Sequence, residues 1–199
     1  MNTKNIIGEE RIFKRRDGGE VGVLFYPSRK PDSPLLVDIH GGGFVSGHHY
    51  SDDKLCSFLN NRLDINVASI EYRYAPKVSY PESTYDCLDA VQGLIDDKEI
   101  NFNRNRIFLM GHSAGANIAA GLSILLGKRI DIRGQILNYP FLDAYIDPET
   151  RPRHRYSIPP FNMKILNMKY YPEKDSRKDP LASPVYMTAE QAGSIPDSI

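Results

Sequence analysis

Between residues 106 and 126 an apolar strand pattern runs straight into an apolar helix pattern, with only Gly111-His112-Ser113-Ala114-Gly115 at the junction. Arg106 to Met110 reads as a strand buried in a parallel sheet. Ser113 to Leu126 carries Ala114, Ala116, Ile118, Ala119, Leu122, Leu125 and Leu126, and reads as a helix covered almost all round. The chain must therefore turn from strand to helix within two or three residues. Such a bend strains the backbone at the serine and brings positions 111 and 115 against neighbouring backbone, which is why both are glycine. The bend lifts the Ser113 hydroxyl above the sheet as a candidate nucleophile. At the helix start the amide of Ala114 and the helix dipole both favour developing negative charge.

A second glycine-rich turn leaves the end of another apolar strand, Leu35 to Ile39, as His40-Gly41-Gly42-Gly43-Phe44. Bare amides in such a turn can hold a tetrahedral oxyanion, and Gly42 and Gly43 are the expected donors, beside Ala114. His40 is expected to brace the turn together with Gly41. A phosphate-cradling loop needs a following lysine and hydroxyl residue, or the dinucleotide spacing; Phe44, Val45 and Ser46 supply neither.

The rest of the chain alternates strand and helix around a mostly parallel sheet. Residues 10 to 16 and 20 to 27 make an opening strand pair, and Asn66 to Tyr72 and Gly134 to Tyr139 are further strands. Ser51, Asp52 and Asp53 cap a helix with Leu55, Phe58, Leu59 and Leu63 on one face, and Pro81 to Ile95 makes another with Leu88, Val91 and Ile95 inward. After Asp143 the chain turns proline-, arginine- and tyrosine-rich, so residues 144 to 178 read as a cap insertion with one amphipathic helix, Phe161 to Tyr171. Ile195 to Ile199 looks like the approach to a further strand.

Three motifs in order carry a resemblance: HGGGF at 40 to 44, EYRYAP at 71 to 76 followed by Tyr80 and Pro81, and GHSAG at 111 to 115. YPFLD at 139 to 143 and DPLASP at 179 to 184 extend it. Together they resemble the hormone-sensitive-lipase-like carboxylesterases. The resemblance implies an α/β-hydrolase fold, with a mostly parallel central sheet flanked by helices, a small cap insertion and the last strands missing, in one incomplete domain over residues 1 to 199. It also implies cofactor-free hydrolysis of small neutral acyl esters through an acyl-enzyme. Arg73 and Tyr74 are read as structural. In that family the catalytic aspartate and histidine lie on strands that would follow Ile199, so an impaired enzyme is expected. An amidase or formamidase, or a catalytically dead binding module, are the alternatives.

Within the chain Ser113, Asp143 and His154 follow the order of such a triad and are speculative partners, although His154 sits between Arg153 and Arg155 in an expected solvated loop. His112 neighbours Ser113 in sequence, so its ring cannot easily face the hydroxyl. His48 and His49 either line the mouth of a pocket or are half-exposed loop residues, as are Tyr50 and Tyr80.

Charge excludes other classes. Lysine plus arginine number 25 and aspartate plus glutamate 25, so no net field recruits nucleic acid or an anionic membrane surface. The runs Lys14-Arg15-Arg16 and Arg151, Arg153, Arg155 are expected to be solvated. Cys56 and Cys87 fall in helix patterns, the histidines lack ligand spacing, and no metal site is expected. Met1 to Asp17 has no apolar stretch of the secretory kind and no run approaches a membrane span, so a cytoplasmic protein is expected. An uncovered sheet edge predicts self-association.

Overall fold

The computed structural model describes residues 6–199; the first five residues of the Met1 to Asp17 stretch lie outside the described residues. Six strands form one sheet: β1 (Glu9–Lys14), β2 (Glu20–Tyr26), β3 (Leu35–Ile39), β4 (Asn66–Glu71), β5 (Ile107–His112) and β6 (Ile132–Asn138), in the order β1-β2-β4-β3-β5-β6. The opening hairpin is antiparallel, and β2 joins β4 antiparallel. From β4 onward every pairing is parallel. The interior strands are mostly apolar because helices cover both faces, with Asp38 of β3 and Ser69 of β4 as buried polar exceptions. Asp197 and Ile199 bond Gln135 and Leu137 of β6, and Ser198 bridges Gln135 in parallel, so the expected approach to a further strand is present.

Alternation along the strands splits the core. Val37, Ile39, Ile107 and Leu109 face the layer of α2 (Glu82–Asp96) and α3 (Ala114–Leu126). Leu36, Val67 and Met110 face the layer of α1 (Asp53–Leu63) with Cys56. Within α3 eleven of thirteen residues are buried, as its composition predicts. Both cysteines are buried free thiols, Cys56 in α1 and Cys87 in α2.

Several expectations need correction. Ser51 does not cap α1; its hydroxyl accepts from the His48 amide instead, and no side chain caps that helix. Phe58 and Leu63 are 62% and 56% exposed. The roll of α1 is set by polar anchors. Asp53 accepts from Ile7, Gly8 and the Tyr26 hydroxyl, and Asn60 donates to the carbonyls of Tyr26, Pro27 and Ile65. In α2 the buried side is Cys87, Ala90, Val91 and Leu94, with Leu88 and Ile95 half-buried.

The basic runs are not simply solvated. Arg16 forks onto Asp89, and Arg15 reaches Asp17 and buried Asp86. Arg73, read as structural, forms a two-pronged bond to Asp86 at 2.9 and 2.7 Å. Arg151 lies over the Phe141 ring and donates to the Asp143 carbonyl.

Past Asp143 the expected helix runs Pro160–Tyr170 as α4. Its sides are less divided than expected, since Phe161 and Met168 are exposed while Tyr170 is buried. Tyr170 and Tyr171 plug into the main core: the Phe44 ring stacks on Tyr170 at 4.4 Å and meets Tyr171 edge-on at 5.5 Å. No described helix is long and apolar enough to cross a membrane.

Candidate active site

β5 ends at His112 and α3 starts at Ala114, leaving Ser113 alone to make the turn. Its backbone stands at φ 54°, ψ −113°, a left-handed conformation rare for a residue with a Cβ. The turn is pinned on both sides. The Ser113 amide donates to the Asn138 carbonyl of β6 at 3.0 Å, and its carbonyl accepts from Ala116 and Asn117 at 3.1 and 3.2 Å. The flanking glycines are required by close approach: a Cβ at Gly111 would meet the backbone of Gly115 and Ala116, and one at Gly115 would collide with the carbonyls of Ile39 and His40.

That second collision ties the elbow to the other glycine turn. A Cβ at Gly41 would lie 3.0 Å from the His112 carbonyl and 3.7 Å from the Ser113 Cβ, so the two turns pack directly on each other. Gly42 and Gly43 have φ +141° and +62°. The Gly42 carbonyl accepts from the amides of Val45 and Ser46, both at 3.1 Å, which closes the turn. Among the described residues no loop or turn hydrogen bond uses the amides of Gly42, Gly43 or Ala114. Unspent N–H groups at a helix start and a glycine turn are ready donors for an anion.

His40 braces this turn. It is buried, its Nδ1 lies 2.7 Å from the Gly41 carbonyl, and its ring stacks on Tyr72 at 4.2 Å. The Tyr72 hydroxyl donates to the His40 carbonyl. Burial pushes the His40 imidazole below its ordinary pKa, so it is a neutral donor to the carbonyl.

A cleft of about 410 Å³ opens beside Ser113, with walls that include Tyr139, Phe141, Arg151, Tyr156 and Met163. A larger one, about 620 Å³, lies among Tyr145, Asp147, Lys164 and Arg177 and contains none of the residues just described. Chemistry, not depth, singles out the first.

Asp143 and His154 are not brought to Ser113. The Asp143 carboxylate accepts from the amides of Tyr145 and Ile146, closing its own turn. His154 is exposed, its ring tilted against that of Tyr156 at 5.8 Å. Among the described residues the Ser113 hydroxyl has no hydrogen-bond partner.

Two groups of ionisable side chains were missed. His48 and His49 are not idle loop residues: both bond Glu71, and the second nitrogen of His49 reaches Glu10 at 3.1 Å. Burial would raise Glu71 and lower His49, but their pairing outweighs it, holding Glu71 down at about 2 and His49 above its usual value. The other group centres on Asp38, fully buried, whose Oδ2 accepts from Ser69 at 2.8 Å and from the Cys56 thiol at 3.5 Å. Burial, with the neighbouring Asp52 charge, pushes its carboxyl up to about 7. No sequence spacing signals either group, because each is assembled across strands.

The family model described as the α/β-hydrolase fold matches residues 36–199. The chain belongs to the hormone-sensitive-lipase-like carboxylesterases of that fold. It is 29% identical over 206 residues to an arylesterase of Saccharolobus solfataricus, covering 98% of this chain and 66% of that protein. It is 32% identical over 167 residues to neutral cholesterol ester hydrolase 1 of Bos taurus, covering 78% and 40%. A solved hyperthermophilic esterase from Pyrobaculum calidifontis superposes with a TM-score of 0.83 at 26% identity, covering 96% of this chain and 64% of the other. The chain thus spans about two thirds or less of the length of these relatives.

Proposed function

We propose that this chain is the nucleophile-bearing part of a serine carboxylic-ester hydrolase for small neutral acyl esters. Ser113 Oγ attacks the ester carbonyl, the amides of Gly42, Gly43 and Ala114 hold the resulting oxyanion, and the alcohol leaves to give an acyl-enzyme that water then hydrolyses. One observation carries the reading: the strained turn at Ser113 packs so closely on the Gly41 turn that a Cβ at Gly41 would touch it, while the amides around it stay unspent. The curated relatives, an arylesterase and a cholesterol ester hydrolase, support ester chemistry. The cleft beside Ser113 is walled mainly by aromatic, proline and aliphatic side chains with two arginines, which suits an uncharged acyl group. Residues 144 to 178 then act as the cap, since Arg151, Tyr156 and Met163 line that cleft.

Ser113 lacks a bonded base among the described residues, so turnover by this chain is slow, resting on oxyanion stabilisation and binding. Release of p-nitrophenol from the acetate and butyrate esters, compared with Ser113→Ala, tests this. A slow rate that vanishes in the variant is expected; a rate the variant leaves unchanged overturns it. The same lack of a base favours a second reading, a binding module, which predicts ester binding with no Ser113-dependent turnover at all.

Two unpaired thiols are consistent with a reducing, cytoplasmic setting. Ile136 in β6 and Tyr139 just past it leave apolar surface, 42% and 68% exposed, which supports self-association. Sedimentation equilibrium should show dimers or larger species at micromolar concentration; a monomer throughout the range would contradict it.

A further inference from the structure

We propose that Asp38, Asp52 and His112 form a binding site for a divalent cation of the zinc type, on the α1 side of the sheet directly behind the nucleophile turn. The three come from separate elements: Asp38 from β3, Asp52 from the turn before α1, and His112 from the last position of β5. One oxygen or nitrogen of each lies within 4.8 Å of the others.

Two of these atoms have unmet bonding capacity. Asp38 is fully buried, yet its Oδ1 has no hydrogen-bond partner, and the same is true of His112 Nε2. They face each other at 3.7 Å, too far for an N–H···O bond. The ligands of a tetrahedral ion, each about 2.1 Å from the metal, stand ~3.4 Å apart. Asp38 Oδ1 and His112 Nε2 are within a few tenths of an ångström of that spacing; Asp52, within 4.8 Å of both, would close in by up to about 1.4 Å, with water as the fourth ligand.

The surroundings suit a cation. Among the described residues no lysine or arginine pairs with Asp38 or Asp52, so two carboxylates stand against one imidazole. A set of nitrogen and oxygen ligands with two negative charges matches a divalent ion of the zinc, cobalt or manganese group. The orienting bonds are in place as well. Ser69 and Cys56 hold the other Asp38 oxygen. The Asn138 Nδ2 lies 3.0 Å from His112 Nδ1; with the carboxamide flipped, its oxygen accepts a hydrogen bond from Nδ1–H, which leaves the Nε2 lone pair facing the gap. A cation there would pin β3, β5 and the start of α1 together one residue from Ser113, a positioning role.

Calorimetric titration of the chelator-treated full chain with zinc chloride, alongside its melting temperature, tests the site. The expected result is one zinc per chain and a rise in melting temperature, with affinity at least tenfold weaker in Asp38→Asn and Asp52→Asn and unchanged in Glu71→Gln. Asp52 makes no capping bond, so its variant still decides the matter if Asp38→Asn does not fold. No binding, or binding that both Asp variants leave intact, overturns the proposal. Loss in Glu71→Gln alone does so too, by placing the zinc on His48 and His49.

Discussion

Ser113 offers a direct way to measure the strain stored at the elbow. Its φ of 54° and ψ of −113° hold a residue with a Cβ in a conformation that costs about 1–3 kcal/mol. Its side chain caps no amide of α3, so Ser113→Ala keeps the strain and removes no bond on which folding depends. Ser113→Gly relieves the strain, offset by about 0.5–1 kcal/mol of extra chain entropy in the unfolded state. The glycine variant should therefore be more stable than the alanine variant by about 0.5–2 kcal/mol. At 199 residues each kcal/mol moves the melting temperature by about 2–4 °C, a gap of roughly 1–8 °C. Urea unfolding followed by circular dichroism, with a thermal scan beside it, reads both quantities. A glycine variant equal to or less stable than Ser113→Ala would refute the idea that this turn is strained.

Two further outcomes follow from the packing and the charges. Gly115→Ala should destabilise the fold by about 3 kcal/mol or more, because the new methyl meets the carbonyls of Ile39 and His40 in a region where overpacking cannot be relaxed by a side chain; an unchanged urea midpoint would show that the two glycine turns are not in contact. Glu71 is held at about 2 by His49 and His48. A depressed carboxylate contributes stability that is present above its ordinary value near 4.5 and is lost as pH falls toward about 2. Glu71→Gln should accordingly flatten the acid limb of the stability curve, by at most about 3 kcal/mol, and a limb identical to that of the wild type would contradict the pairing.

The parts of the molecule that could be read from sequence are those whose signals are local. The strand-turn-helix around Ser113, the glycine turn after β3 and the buried character of α3 each depend on residues adjacent in the chain, and the structure has them where the pattern put them. What escaped depends on distant partners. The roll of α1 is decided by Asp53 and Asn60 bonding residues 27 to 46 positions away, as well as Ile65, which leaves Phe58 outward despite its place in an apolar stripe. Arg16 looked solvated because its partner Asp89 is 73 residues on. Asp38 lies within what reads as an apolar strand, and its polar company of Ser69, Cys56 and His112 exists only once β3, β4, β5 and α1 are assembled.

The central claim is that Ser113 is the nucleophile beneath the free amides of two glycine-bounded turns. Incubation of the intact chain with a fluorophosphonate, followed by peptide mass spectrometry, tests it most directly. The account predicts a single, slowly formed adduct on the peptide containing Gly111 to Gly115, absent in Ser113→Ala and further slowed when the Gly43 amide is displaced by Gly43→Pro. An adduct on any other residue, or labelling that Ser113→Ala leaves intact, would contradict it.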